Sequence, residues 1–456
     1  MREWERATWA SGQTEAEVIR RVGQCVARTA MRLTWARDLV LLLAGKGHNG
    51  DDARAAREHL ADRRVELLEV NEPASDIRRL EDLLKLQPAL IIDGLFGVGL
   101  NRTLSAEWAR FIERVNDSGI PVLAVDVPSG LNAETGQPEG AAIHATMTLT
   151  VGAPKAGMLL ESAWTYVGRL EVAEDTGLVS CPARSEVVWT LPEDFTGFPP
   201  VRPVATHKGT YGHVAVIAGS MGYHGAAVLS ARGAQRAQPG LVTLYVLEKI
   251  YAAVASQLQA VMVSPWQPRL ELPGTISAVV AGPGLAAGDV PEELKLWIRQ
   301  MWRGAPMAMV VDASALSWLR SEPVPRHAAR VITPHPGEAA RLLGITAKDV
   351  QANRFLATRK LSQNLGNSLV VLKGHQTLVG RATGDLSVNP SGNPHLAQGG
   401  SGDVLSGYIG GLLAQPELQR DPLGTVRYAV WRHGAAADRL QAGRASWVVE
   451  DLVEEL

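Results

Sequence analysis

Gln398-Gly399-Gly400-Ser401-Gly402-Asp403, running on into Val404-Leu405-Ser406-Gly407, is the stretch on which the reading of this chain turns. Val404, Leu405, Tyr408, Ile409, Leu412 and Leu413 recur at helical spacing, which predicts a helix after Asp403 with one apolar face packed inward. The glycines ahead of it let the backbone approach a ligand closely with its N–H groups turned outward. The positive end of the helix dipole lies at the same place and suits a phosphate. A carboxylate within reach of a phosphate suits a general base acting on a hydroxyl. The same residues also fit a plain glycine loop in which Asp403 only caps the helix.

Outward from this stretch, the second half of the chain alternates short apolar strands with polar turns. Strands are predicted at 214–218, 242–247, 278–281, 309–312, 331–333 and 369–372. Gly219-Ser220-Met221-Gly222-Tyr223-His224-Gly225-Ala226 follows the first of them and Gly282-Pro283-Gly284 the third. Asp312, then Thr333-Pro334-His335-Pro336-Gly337-Glu338, then Lys373-Gly374-His375-Gln376-Thr377 end the last three. Ligand crevices in open α/β sheets lie at such strand ends. The first half repeats the pattern, with strands predicted at 39–44, 65–70, 90–93, 122–127 and 147–151 and helices between them, as a mainly parallel sheet requires.

At 456 residues the chain exceeds the size at which one core keeps growing, so two domains are expected. Residues 1–191 form the first, Pro199-Pro200-Val201-Arg202-Pro203 lies in a linker over 192–206, and 207–456 form the second. The fold class expected is α/β in both. A net charge of −2 gives no sign of a nucleic-acid or membrane surface, and the arginines from Arg54 to Arg64 read as a solvated helix face. Cys25 and Cys181 form no CxxC pair and suit a reducing compartment. With no signal-like N-terminus and no membrane-length apolar run, a cytoplasmic protein is expected.

The ordered set of strand-end motifs resembles the ADP- or ATP-dependent NAD(P)H-hydrate dehydratase family, a branch of the ribokinase-like fold. The likeness runs from His207-Lys208-Gly209 to about Leu440 and includes TPHPGE, LKG and GGSGD. It implies removal of water from hydrated NADH and NADPH at the expense of a nucleotide phosphate, with ADP as co-substrate and Mg2+ on the phosphates. By this resemblance Asp403 is the catalytic base. Lys373, Gly374, His375, Gln376, Thr377 and Gly402 hold the nucleotide, and Ala226, Gly284 and His335 line the hydrate pocket with Asp403. Glu338 either holds the metal through water or caps the following helix. The family's Pro-Glu-Met-type segment is absent, Ser256-Gln257-Leu258-Gln259-Ala260 standing near its place.

In the first half, Gly45-Lys46-Gly47-His48-Asn49-Gly50 satisfies GxGxxG after a strand, with Glu69 ending the next one, as in a dinucleotide-binding Rossmann fingerprint. The wider context resembles the NAD(P)H-hydrate epimerase domain instead, from about Glu5 to Leu178. That likeness rests on Asp93-Gly94-Leu95-Phe96-Gly97-Val98-Gly99, Val125-Asp126-Val127-Pro128-Ser129-Gly130-Leu131-Asn132 and Thr150-Val151-Gly152-Ala153-Pro154-Lys155. It implies a Rossmann-like three-layer sandwich that interconverts the R and S hydrates. Asn49, Asp93 and Ser129 would hold K+, oxygen donors being what a hard cation prefers. Asp126 would be catalytic, and NADHX or NADPHX would be bound by His48, Asn49, Gly50, Asp51 and Asp52 and by Gly97, Val98, Gly99, Leu100, Asn101, Arg102 and Thr103.

The family's loop is close to GNNGGDG, whereas this chain has His48, Asp51 and Ala53 in place of one Asn and two Gly. A carboxylate beside a pyrophosphate site repels the ligand unless a cation intervenes. Two further readings follow: a non-catalytic first domain, or a small-molecule kinase of the ribokinase-like fold. The small-molecule substrates imply no macromolecular partner beyond a homo-oligomer.

Overall fold

The structure, a computed structural model, describes residues 2–325 and 327–456. Two compact units divide it, one ending at Arg184 and the other beginning at Ser185.

The first unit holds a six-stranded sheet built from β1 (Leu39–Ala44), β2 (Arg64–Glu69), β3 (Leu90–Gly94), β4 (Val122–Val125), β5 (Met147–Val151) and β6 (Arg169–Ala173). Their order is β2-β1-β3-β4-β5-β6, and every neighbouring pair is parallel. Both faces are covered, which is why β1 reads Leu-Val-Leu-Leu-Leu-Ala without a polar alternation. Val40 and Leu42 pack among Val22, Val26 and Ala53, from helices Glu15–Leu33 and His48–Arg57. Leu41 and Leu43 face the other way, onto Leu80 and Phe111 of helices Pro73–Leu84 and Ala106–Asn116. Each fully buried leucine contributes roughly 2 kcal/mol to this three-layer packing. The chain leaves β1 for β2 on one side and returns to β3 on the other. A crevice therefore opens at the carboxyl ends of β1 and β3.

The second unit carries ten strands: β7 (Val187–Trp189), β8 (His213–Ile217), β9 (Leu241–Val246), β10 (Met262–Pro265), β11 (Ala278–Ala281), β12 (Ala308–Val311), β13 (Arg330–Ile332), β14 (Leu369–Leu372), β15 (Leu378–Gly380) and β16 (Leu386–Val388). Their order is β10-β9-β8-β11-β12-β13-β14-β15-β16-β7. The pairs from β10 through β14 are parallel, whereas β15 runs antiparallel to both its neighbours. The order reverses between β8 and β11, and the glycine turns 219–222 and 282–284 lie there. Helix Ser401–Leu413 packs on helix His224–Arg236 so closely that a β-carbon on Gly407 would stand 2.0 Å from the Ser230 carbonyl oxygen. A glycine in a helix interior costs about 1 kcal/mol against alanine, and this contact is what requires it.

The structure differs from the sequence-based expectation in two places. The division falls after Arg184 rather than at 191, because Val187–Trp189 pairs in parallel with β16 and so belongs to the second sheet. Helix Ser401–Leu413 begins before Asp403: Gly400, at φ 100°, is the N-cap, and Asp403 stands in the first turn.

Candidate active sites

In the second unit, strand ends and one helix N-terminus converge on Lys373. It follows β14, and its Nζ donates to Oδ1 of Asp312, which follows β12, at 2.9 Å. The side chains are 20% and 2% exposed, so this is a largely buried pair. A β-carbon on Gly402 would lie 3.2 Å from the same Nζ, which places the first turn of helix Ser401–Leu413 against the ammonium. Burial pulls Lys373 down, but the carboxylates of Asp312, Glu338 and Asp403 together hold it above its ordinary value.

Asp403 is half-buried, and its carboxylate accepts no hydrogen bond from the protein among the described residues. Burial, with Asp312 and Glu338 adding to it and Lys373 opposing, raises it to about 7. An unsatisfied carboxylate titrating near neutrality, beside a lysine and backbone N–H groups, has the properties of a general base next to a phosphate site.

His335 is the N-cap of helix Pro336–Leu343. Its Nδ1 accepts the Gly337 N–H at 3.0 Å, while Glu338 accepts the His335 backbone N–H at 2.9 Å. Glu338 thus caps this helix, and its charge also reaches Lys373 and Asp403. Ala226 and Gly284 adjoin, since a β-carbon on Gly284 would sit 2.8 Å from that of Ala226.

The loop 373–377 is shaped from beneath by the buried Arg354, which donates to the carbonyls of Leu372 (3.0 Å) and His375 (2.8 Å). Thr377 Oγ1 donates to the Gly374 carbonyl, His375 is exposed, and Gln376 is buried beneath the loop. Asp312 and Arg354 were missed as site residues. A lone aspartate at a strand end was the only signal for the first, and nothing local marks the second.

In the first unit, a cavity of about 470 Å3 opens at the carboxyl ends of β1, β3 and β4. Lys46, His48, Asn49 and Asp52 line it on one side, residues 97–102 on another, and Asp126 at its floor. Asp126 has a left-handed backbone, φ 64°. Its Oδ1 accepts the Val151 N–H at 2.9 Å and is held by Lys155, a buried ion pair. The Asp52 carboxylate makes no hydrogen bond among the described residues. Burial first, then the charges of Asp126 and Asp51, raises it to about 8.

Asp93, Ser129 and Asn49 lie close together, Ser129 and Asn49 both bonding to the Phe96 backbone. Ser129 donates its N–H (2.8 Å) and Oγ–H (2.6 Å) to the fully buried Asp93 carboxylate, and Asn49 Nδ2 donates to the Phe96 carbonyl. Burial pushes Asp93 up to about 6 despite these donors.

Gly50, Asp51 and Thr103 lie outside the cavity lining. Gly50 is pressed onto the start of its own loop, where a β-carbon would come within 2.1 Å of the Gly45 carbonyl oxygen. Asp51 turns to Arg54, and Thr103 packs near Gly140. Of the other altered residues, His48 is exposed and pairs with Glu15 at 2.8 Å, and Ala53 is buried against Gly94. Glu69 is engaged by Arg54, which argues against a Rossmann ribose contact there. Arg54 is therefore not part of a merely solvated face.

Comparison with known proteins finds relatives for both units. Residues 214–456 match the family described as NAD(P)H-hydrate dehydratase, and residues 64–157 match the YjeF-related protein N-terminus. The bifunctional NAD(P)H-hydrate repair enzyme of Coxiella burnetii is 34% identical over 100% of this chain and 97% of its own length. That of Gloeobacter violaceus is 37% identical over 88% and 84%. The crystal structure of an ADP/ATP-dependent NAD(P)H-hydrate dehydratase from Bacillus subtilis, co-crystallised with ATP and Mg2+, has a TM-score of 0.50 at 31% identity. It covers 56% of this chain and 91% of that one. A ribokinase-like protein of Enterococcus faecalis, 22% identical with a TM-score of 0.52 over 60% and 96% of the two chains, shares the fold. No helix among the described residues is long and apolar enough to cross a membrane. With both units matched and the full length covered, the chain belongs to the bifunctional NAD(P)H-hydrate repair enzyme family.

Proposed function

We propose that the second unit dehydrates (S)-NADHX and (S)-NADPHX at the expense of ADP and that the first interconverts the R and S hydrates. The observation that carries this reading is Asp403, a carboxylate without a protein partner at the N-terminus of a helix, beside Lys373. Asp403 takes the proton of the ring hydroxyl as its oxygen attacks the terminal phosphorus of ADP, and AMP leaves. Phosphate is a far better leaving group than hydroxide. Its departure from the ring, with loss of a neighbouring proton, restores the dihydronicotinamide. Lys373 and the N–H groups around Gly402 neutralise the transferring phosphoryl group, so catalysis is mostly positioning and charge compensation.

Among the described residues no group of three or more His, Cys, Asp or Glu forms a metal cage. Mg2+ normally rests on one or two carboxylates together with substrate phosphates, so Glu338 and Asp312 fit a supporting role. When bound there it would neutralise charge on the phosphates. In the first unit Asp126, held in place by Lys155, moves the hydroxyl proton to the ring nitrogen as the adjacent C–N bond opens to an aldehyde, and moves it back when the nitrogen recloses on the opposite face, which inverts the carbon. The buried Asp93, with Ser129 and Asn49, fits K+, which would balance a carboxylate that has only neutral donors around it. We place the enzyme in the cytoplasm, as a homo-oligomer.

The test is recovery of NADH absorbance from a mixed R and S NADH-hydrate pool with ADP, Mg2+ and K+. Complete recovery, faster than spontaneous epimerisation, is expected, with free phosphate released. Recovery that stops at the S fraction would mean a silent first unit. A phosphorylated product that accumulates instead would make this a small-molecule kinase of the same fold.

A further inference from the structure

The loop 47–53 places an aspartate where the resembling family has a glycine, next to the cavity that takes the dinucleotide. Asp51 stands in the first turn of helix His48–Arg57, and Arg54 lies one turn further along the same face. One guanidinium makes all the contacts that follow. Its Nη1 donates to Asp51 Oδ1 at 2.8 Å, and its Nε and Nη2 form a fork on Glu69 at 2.9 and 2.6 Å. Nη2 also donates to the Gly45 carbonyl at 2.8 Å, the point where the chain leaves β1 to begin the loop. Arg54 thus ties the start of the loop, its added carboxylate and the end of β2 to one another. The cavity already holds the carboxylates of Asp52 and Asp126, and the charge of Asp51 reaches Asp52. A further negative charge left without a partner would oppose an anionic dinucleotide.

We propose that Arg54 is a positioning residue of the first site. Paired with Asp51 it does the work of the missing glycine, drawing the added carboxylate away from the cavity and cancelling its charge. The proposal rests on the reading of the first unit as an epimerase. Glu69 shares the same guanidinium, so removing Arg54 exposes two carboxylates, and only Asp51 lies beside the dinucleotide loop. A half-buried ion pair open to water on one side adds only modest stability, so the larger effect is expected in substrate binding rather than in folding.

The test is interconversion of R and S NADHX, followed chromatographically on the full chain with ADP left out so that the dehydratase is idle. Four proteins are compared: the wild type, Asp51→Gly, Arg54→Ala and the double variant. Arg54→Ala is expected to raise KM about five- to tenfold, the size of one uncompensated charge acting through partly aqueous surroundings, with kcat changed far less. The rise should shrink in high salt, and Arg54→Lys should recover part of it. Adding Asp51→Gly to Arg54→Ala should return KM most of the way, which a purely structural loss would not do.

A double variant no better than Arg54→Ala would overturn the proposal. So would Arg54→Ala with wild-type KM, or a wild type that is silent until Asp51→Gly restores it. If Arg54→Ala fails to fold, Arg54→Gln with and without Asp51→Gly gives the same comparison. Silence in all four proteins would overturn the epimerase reading itself, and the proposal with it.

Discussion

Asp403→Asn should make the second unit more stable while abolishing its activity, and the gain should depend on pH. Asp403 has an ordinary value of 3.8 and is raised to about 7 in the folded protein. A carboxyl whose folded pKa lies above its unfolded one favours folding while protonated. That stability is fully present below about pH 4 and is lost as the pH rises through about 7. A shift of this size corresponds to at most about 4 kcal/mol at alkaline pH. Water reaches the half-buried carboxylate and reduces the figure. The negative charge in the first turn of helix Ser401–Leu413 also contributes about 0.5 kcal/mol that asparagine gives up. The net expectation is a gain of about 2 kcal/mol near pH 8.5 and a small loss near pH 4. Hydrogen exchange of peptides from 401–413 in the full chain, under increasing urea, reads the second unit alone. An equal gain at both pH values, or no gain at the higher one, would refute the account of Asp403 as a desolvated base. Dehydration surviving in Asp403→Asn would refute its role.

Lys373→Met breaks the largely buried pair with Asp312 and should lower stability by about 3 kcal/mol. It should also move the alkaline-rising limb of the dehydration pH profile to higher pH, since Lys373 is the group that opposes the rise of Asp403; denaturation curves and kcat/KM against pH check both. Asp126→Ala should remove epimerisation while ADP-dependent dehydration of the S epimer continues, as separate assays of the two epimers would show. Gly50→Ala should cost about 2 kcal/mol or more, because its β-carbon would strike the Gly45 carbonyl, and thermal unfolding of the first unit measures that. Replacing K+ by Li+ should slow epimerisation, and Asp93→Asn should lose that response, read by titrating each cation against the epimerisation rate.

Glycine-rich motifs were the most legible part of the sequence, because glycine at a strand end or helix start has few other uses. The family resemblance groups Gly402, Lys373, His335 and Asp403 into one site, and the structure sets the Gly402 backbone against the Lys373 ammonium. The short strands β15, β16 and β7 were not legible: three residues give no periodicity, and β15 runs against the direction of the rest. The end of Asp51's uncertainty lay in plain view at Arg54, three residues on. Spacing alone could not say whether that arginine faced water or Asp51, because its other partners come from residues distant in sequence, Gly45 and Glu69. Asp312 carried no motif, and only the fold reveals its ammonium partner.

The parallel pairing of Val187–Trp189 with β16 bears on how this chain can be dissected. Cutting at the proline-rich segment, where the sequence invites it, would discard a whole strand from the second half. The backbone of β16 would then lie bare along the outer margin of the nine strands that remain, a ready seam for another molecule to join. A free-standing second half should therefore begin at Ser185 or earlier, and one begun at His207 should be prone to self-association.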